Sequence, residues 1–156
     1  MYPEKERVLS LLDAALKEMN LLLEMSKAIN VPDDFVSSTP GLIVFRACGM
    51  SLQYITESLV KIRNLCGREF FNPYKAIPWD AVFGMRNFLS HEYGNVDAEG
   101  IFNTVKTNIP ELLKVTNDIR QDIIGGKLDS CLSDYSSQTG RMERPQHRDS
   151  ELDRLA

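Results

Sequence analysis

A chain of 156 residues, 43% hydrophobic and 26% charged, suits one domain with one core and leaves little room for a second. Its formal net charge of −4, from 18 basic and 22 acidic residues, argues against a protein that coats nucleic acid by charge alone, because that mode needs a surplus of Lys and Arg. Cys48, Cys66 and Cys131 form no CxxC pair and are read as reduced thiols of a cytoplasmic protein.

The N-terminus is charged in both signs, and the Leu-rich stretch after it is broken by Asp13, Lys17, Glu18 and Glu24, a pattern that fits neither a signal peptide nor a membrane span. That stretch reads as a first helix over residues 4–29. Val8, Leu12, Ala15, Met19, Leu22 and Ile29 lie on one stripe, and Leu11, Leu16 and Leu23 widen it. Val31-Pro32 should stop it, since the residue before proline disfavours helix. Residues 33–40, rich in Asp, Ser, Thr and Pro, read as a loop.

A second helix is expected over residues 41–66. Phe45, Cys48, Leu52, Ile55, Leu59, Ile62 and Cys66 follow one another at spacings of three and four, a heptad seam. Gly67 is a plausible stop. Residues 39–75 also hold Arg46, Lys61, Arg63, Arg68 and Lys75 against only Glu57 and Glu69, which hints at an anionic partner or marks a solvated helix face. Residues 70–77 form a connection with Asn72-Pro73 as its turn signal.

The third helix is short, starts at Pro78, runs through Trp79, Val82, Met85 and Leu89, and ends before Gly94-Asn95. Asp97 reads as the N-cap of a fourth, with Phe102, Val105, Ile109, Leu112, Ile119 and Ile123 as its seam. Pro110 should kink or restart that helix, and Gly125-Gly126 should end it. Beyond residue 126 the apolar period is lost. The expectation is an all-α, up-down bundle of four to five helices over residues 1–126, followed by a polar, mobile tail over 127–156.

Of the two histidines, His91 lies in a structured stretch and His147 in the tail. The run Arg86-Asn87-Phe88-Leu89-Ser90-His91-Glu92-Tyr93 gathers a permanent cation, an amide, an imidazole and a phenol. A plain helix end accounts for it too: the macrodipole favours a histidine near a C-terminus, and Arg86 can pair with Asp80 or Glu92. Chemically, arginine suits bidentate recognition of phosphate and histidine suits proton transfer near neutrality. Five residues apart on a helix, they diverge by roughly 140° and rise by roughly 7.5 Å, so they share no straight face. They can line one groove around an extended ligand if His91 lies at or past the last turn.

The same eight residues resemble the R-x4-H-x-Y signature of HEPN-domain toxins of the HepT family, in which a polar residue, often Asn, follows the arginine as Asn87 does. Ile77-Pro78-Trp79 before the motif, Val96-Asp97 after it, Asn108-Ile109-Pro110-Glu111-Leu112-Leu113, and Arg46 with Ile55-Thr56-Glu57-Ser58 resemble further stretches of that family, over residues 8–124. Thr56 replaces a usual glycine, and Phe88 and Ser90 replace residues that are often basic and aliphatic.

The resemblance implies a HEPN-like bundle acting as a homodimeric, metal-independent endoribonuclease toxin with no cofactor. Arg86 would bind the scissile phosphate, His91 would serve as general acid or base, and Asn87 would support them. It also implies a nucleotidyltransferase antitoxin of the MNT type that adenylylates Tyr93, as in MNT/HEPN toxin–antitoxin pairs of the type II-like or type VII kind. Two other readings stay open: a non-catalytic HEPN-like subunit that binds RNA or a nucleotide beside a nucleotidyltransferase, and a helical scaffold without ligand. No metal-ligand spacing and no Gly-rich phosphate loop appear in the sequence.

Overall fold

The structure, a computed structural model, describes residues 3–91 and 97–133, leaving out the side chains of Phe88, Ser90 and His91. Helix α1 spans Lys5–Met25, α2 Thr39–Cys66, α3 Trp79–His91, α4 Ala98–Asn103 and α5 Ile109–Ile124. A π-helical turn, Thr104–Asn108, joins α4 to α5, so the three form the fourth rod of an all-α bundle. Among the described residues there is no strand, only a single parallel bridge between Glu4 and Ser133.

The heptad spacing decides the packing. In α2 the side chains of Cys48, Leu52, Ile55, Leu59 and Ile62 are fully buried, with Phe45 and Cys66 partly covered at the two ends. They meet Val8, Leu12, Ala15, Met19 and Leu22 of α1, which are also fully buried, while α5 closes the far side of α1 with Ile119 and Ile123. Each such side chain withdrawn from water contributes about 1.5–3 kcal/mol of hydrophobic stabilisation.

Two helix ends differ from expectation. Helix α1 stops at Met25, not near Ile29. The Leu22 carbonyl accepts from both the Ser26 hydroxyl at 2.8 Å and the Ser26 N–H at 3.1 Å, the next N–H groups tighten to bonds three residues back, and Lys106 Nζ donates to the Ser26 carbonyl at 2.8 Å. Ile29 is still buried, but from a turn. Helix α2 begins two residues early, at Thr39, because Ser38 caps it by accepting from the Gly41 N–H at 3.1 Å. The intervening loop holds a short 3-10 turn, Pro32–Phe35, that drives Phe35 fully into the core. Its backbone lies so close to α2 that a Cβ on Gly41 would run into the Asp34 carbonyl oxygen, so only glycine fits.

The other stops fall where the glycines and Pro110 place them. Gly67 ends α2 at φ 86°, and Gly126 follows α5 at φ 82°. Asp97 caps α4 through the Gly100 N–H, and Pro110 sits in the first turn of α5 just after the π-helical turn. Past Gly126 the chain turns back. Leu132 is buried, Leu128 and Cys131 pack against the core, and Ser133 exchanges backbone hydrogen bonds with Pro3 and Lys5, both 2.8 Å. Residues 134–156 lie outside the described residues.

Candidate functional site

Helix α3 rests on an aromatic floor built from the connection that precedes it. Arg68–Phe71 forms a 3-10 turn that buries Phe70 and Phe71. Phe71 lies 4.5 Å from Trp79 and 5.3 Å from Phe83, ring centre to ring centre. The Trp79 indole donates to the Tyr74 carbonyl at 2.8 Å, and the Tyr74 hydroxyl donates to Asp122 at 2.7 Å, which ties the connection to the end of α5. Burial and this bond push the Tyr74 phenol above its ordinary pKa, and the same bond holds the Asp122 carboxyl below the usual range.

Pro78 stands just ahead of α3, with its carbonyl accepting from the N–H groups of Ala81 and Val82. One side of α3 is therefore fixed by Trp79, Phe83 and Leu89, all buried. Val82 and Met85 line an apolar groove shared with Leu52, Ile55, Ile109 and Leu112. Gly84 and Asn87 are exposed and Arg86 half-buried. Arg86 Nη1 donates to Asn87 Oδ1 at 3.2 Å, so Asn87 orients the arginine. Asp80, one candidate partner for Arg86, is held by Arg68 Nε at 3.0 Å.

Helix α3 stays helical through His91, its last described residue. The positions of Arg86 and His91 are therefore offset around and along the rod as a straight helix dictates, and share no face. The His91 side chain, Glu92 and the candidate modification residue Tyr93 lie outside the described residues.

Sequence reading missed how Arg63 of α2 and Arg68 of the turn after it meet α3. Arg63 Cζ lies 4.8 Å over the Phe83 ring, and Arg68 Cζ lies 5.9 Å from the same ring. The charge excess in residues 39–75 was the visible signal, but Phe83, its target, follows no pattern that names it. Other chemistry is weak here. Burial pushes the Cys48 and Cys66 thiols up to about 11, which makes them poor nucleophiles. Among the described residues no group of three His, Cys, Asp or Glu gathers around a metal-sized space, and no helix is long and apolar enough to cross a membrane.

Residues 12–119 match the family model described as Ribonuclease HepT-like, which spans all five helices in whole or part. The chain belongs to the HepT-like ribonuclease family. It is 36% identical over 110 residues to a protein named "Putative RNase" in Caldanaerobacter subterraneus subsp. tengcongensis, covering 70% of this chain and 91% of that one. A second protein named "Putative RNase", from Methanocaldococcus jannaschii, is 27% identical over 110 residues, covering 70% of this chain and 94% of the relative. No solved structure matches. The family and the names of these relatives point to ribonuclease activity, and the bundle described above is the scaffold on which α3 presents Arg86 and Asn87.

Proposed function

We propose that this protein is the toxin of a toxin–antitoxin pair and cuts RNA without a metal through Arg86 and His91. The observation that carries the reading is family membership combined with the position of Arg86: half-exposed on α3, three residues beyond Phe83, with its guanidinium oriented by Asn87. The substrate 2′-hydroxyl attacks the adjacent phosphorus while the bond to the 5′-oxygen of the next nucleotide breaks. This leaves a 2′,3′-cyclic phosphate and a 5′-hydroxyl. His91 moves the proton, a role worth ~10²–10⁴ in rate. Arg86 neutralises the charge that grows on the phosphoryl oxygens, and Asn87 keeps it aimed. The need for a 2′-hydroxyl selects RNA over DNA. The working form is a homodimer with two Arg86/His91 sets facing a shared cleft.

In the same reading a nucleotidyltransferase antitoxin of the MNT type silences the enzyme by adenylylating Tyr93. The added phosphodiester charge and bulk lie two residues from His91 and exclude an RNA phosphate. Incubation of the purified protein with RNA in excess chelator tests the first half: cleavage should persist, and activity that returns only with Mg²⁺ or Mn²⁺ would sink the metal-free route. Intact-mass spectrometry of wild type and Tyr93→Phe, each co-expressed with the partner, tests the second. The wild type should carry AMP and the variant none; equal adducts on both would rule out Tyr93 as acceptor.

A further inference from the structure

We propose that Arg63, Arg68 and Lys75 form a second phosphate-binding subsite, beside Phe83, that holds single-stranded RNA next to the phosphate taken by Arg86. The inference rests on the RNase reading above and extends it to how the strand is held.

The fold brings these cations together from separate stretches of sequence. Arg63 sits in the last turn of α2 and Arg68 in the turn after Gly67, and both guanidinium groups stand against the one ring of Phe83. Lys75 is exposed and lines the same shallow depression as Arg68, with Asn72, Pro78 and Trp79. Phe83 lies three residues before Arg86 on α3, a rise of only ~4.5 Å, so the cluster and Arg86 are neighbours along one edge of the helix. Four cations thus face one edge of a chain whose net charge is −4. Against that negative total, this edge is where a polyanion can settle.

The side chains retain capacity to bind. A guanidinium carries five N–H donors. The structure engages Arg63 with Asn64 at 3.3 Å, and Arg68 with Asp80 at 3.0 Å and Asn72 at 3.5 Å. Two exposed carboxylates belong to this neighbourhood, Glu69 beside Arg68 in the turn and Asp80, and the exposed pairing of Asp80 with Arg68 is the weak kind that a phosphate can displace. Arg63, held over a ring, is also pre-ordered as a plate on which a base can stack, the way unpaired bases are gripped by arginine planes. Cations interleaved with stacking surface are the hallmark of single-strand binding rather than of a free anion site.

The test measures anisotropy of a fluorescein-labelled single-stranded RNA, 2′-O-methylated throughout so that it cannot be cut, against the full chain over a salt series. Removing one cation that neutralises a phosphate lowers the salt slope by about 0.7 for a single strand. R63Q/R68Q should weaken binding about tenfold at low salt and flatten the slope by about 1.4. K75Q, which touches no packing, should flatten it by about 0.7. D80N should bind a few-fold tighter, because it frees Arg68. A charge-matched control on α1 and the turn after it, K17Q/K27Q, should leave slope and affinity near wild type. Equal weakening in the control and in R63Q/R68Q, or unchanged binding in both R63Q/R68Q and K75Q, would overturn the subsite. Cleavage of unmodified RNA separates the two readings. If wild type cleaves and these variants bind as it does, the subsite fails alone. If binding falls as stated while wild type cuts nothing, the subsite stands and the RNase reading fails.

Discussion

The seam between α1 and α2 and the corner where α3 crosses the end of α2 bury side chains by different means. In the seam, Leu12, Met19, Leu52, Ile55 and Leu59 interlock with no polar atom to satisfy, and removal from water alone accounts for their stability. In the corner, Phe70, Phe71, Trp79 and Phe83 pack ring against ring, and Arg63 and Arg68 both stand over Phe83, so one end of an apolar floor is roofed by cations. The seam has one task, and any aliphatic residue of the right volume serves it. The corner has a second under the proposed subsite, where the cations that cover Phe83 also receive a phosphate. Damage to the seam should therefore appear as lost stability, and damage on the α3 side as lost function.

Substitutions can break that division, and the largest effect is expected at the motif. His91→Ala should lower the cleavage rate ~10²–10⁴-fold with an unchanged helical circular-dichroism spectrum. Arg86→Ala should do likewise, and a variant with full toxicity would remove that residue from the mechanism. Next comes the seam. Leu59→Ala should cost about 3 kcal/mol and lower Tm by roughly 10 °C, while RNA cleavage measured well below the new Tm stays near wild type. A fall in activity as steep as that at His91 would show that the two regions are coupled.

Tyr74→Phe sharpens the comparison at a smaller scale, about 1 kcal/mol, because it cuts the hydroxyl bond that moors the corner to α5. Its pH dependence has a definite sign. The folded Tyr74 pKa lies above its ordinary value, so its contribution is complete below about pH 10 and is lost as pH rises further. The folded Asp122 pKa lies below its ordinary value, so its contribution is present above about pH 4 and is lost as pH falls. Thermal melts should show wild type ahead of the variant in the middle range and converging with it at both extremes. A constant gap across pH would contradict the assignment.

The smallest effect is a gain. The Thr116 hydroxyl in α5 is fully buried and has no hydrogen-bond partner among the described residues. Thr116→Val keeps the shape and removes the stranded oxygen, and should raise stability by about 1 kcal/mol. A lower Tm would mean that the hydroxyl does have a partner.

The same contrast explains what the amino acids disclosed in advance. The all-α bundle, its seams and most of its caps are legible because they rest on spacing within one helix: Cys48 to Ile62, the proline in the first turn of α5, Gly67. Phe35, Phe71 and Leu132 are as deeply placed as seam residues yet lie in short turns, where no period marks the buried side. The early stop of α1 depends on Ser26 and on Lys106, which is distant in sequence. At the site, the run from Arg86 to Tyr93 stands out as a contiguous motif. The Arg63–Phe83 stack joins residues from two helices and needs the fold to become visible.

The hydrogen bonds that Ser133 exchanges with Pro3 and Lys5 make the described body a closed circuit, its first and last residues adjacent peptides at one pole. A circuit can be cut elsewhere. Linking residues 133 and 3 through a short Gly-Ser bridge, and opening the chain at the exposed Val36-Ser37 corner ahead of the Ser38 cap, yields a circular permutant with every helix in its place. Such a chain would begin with α2 and α3, so the cationic edge would be made before the α1 seam that stabilises it.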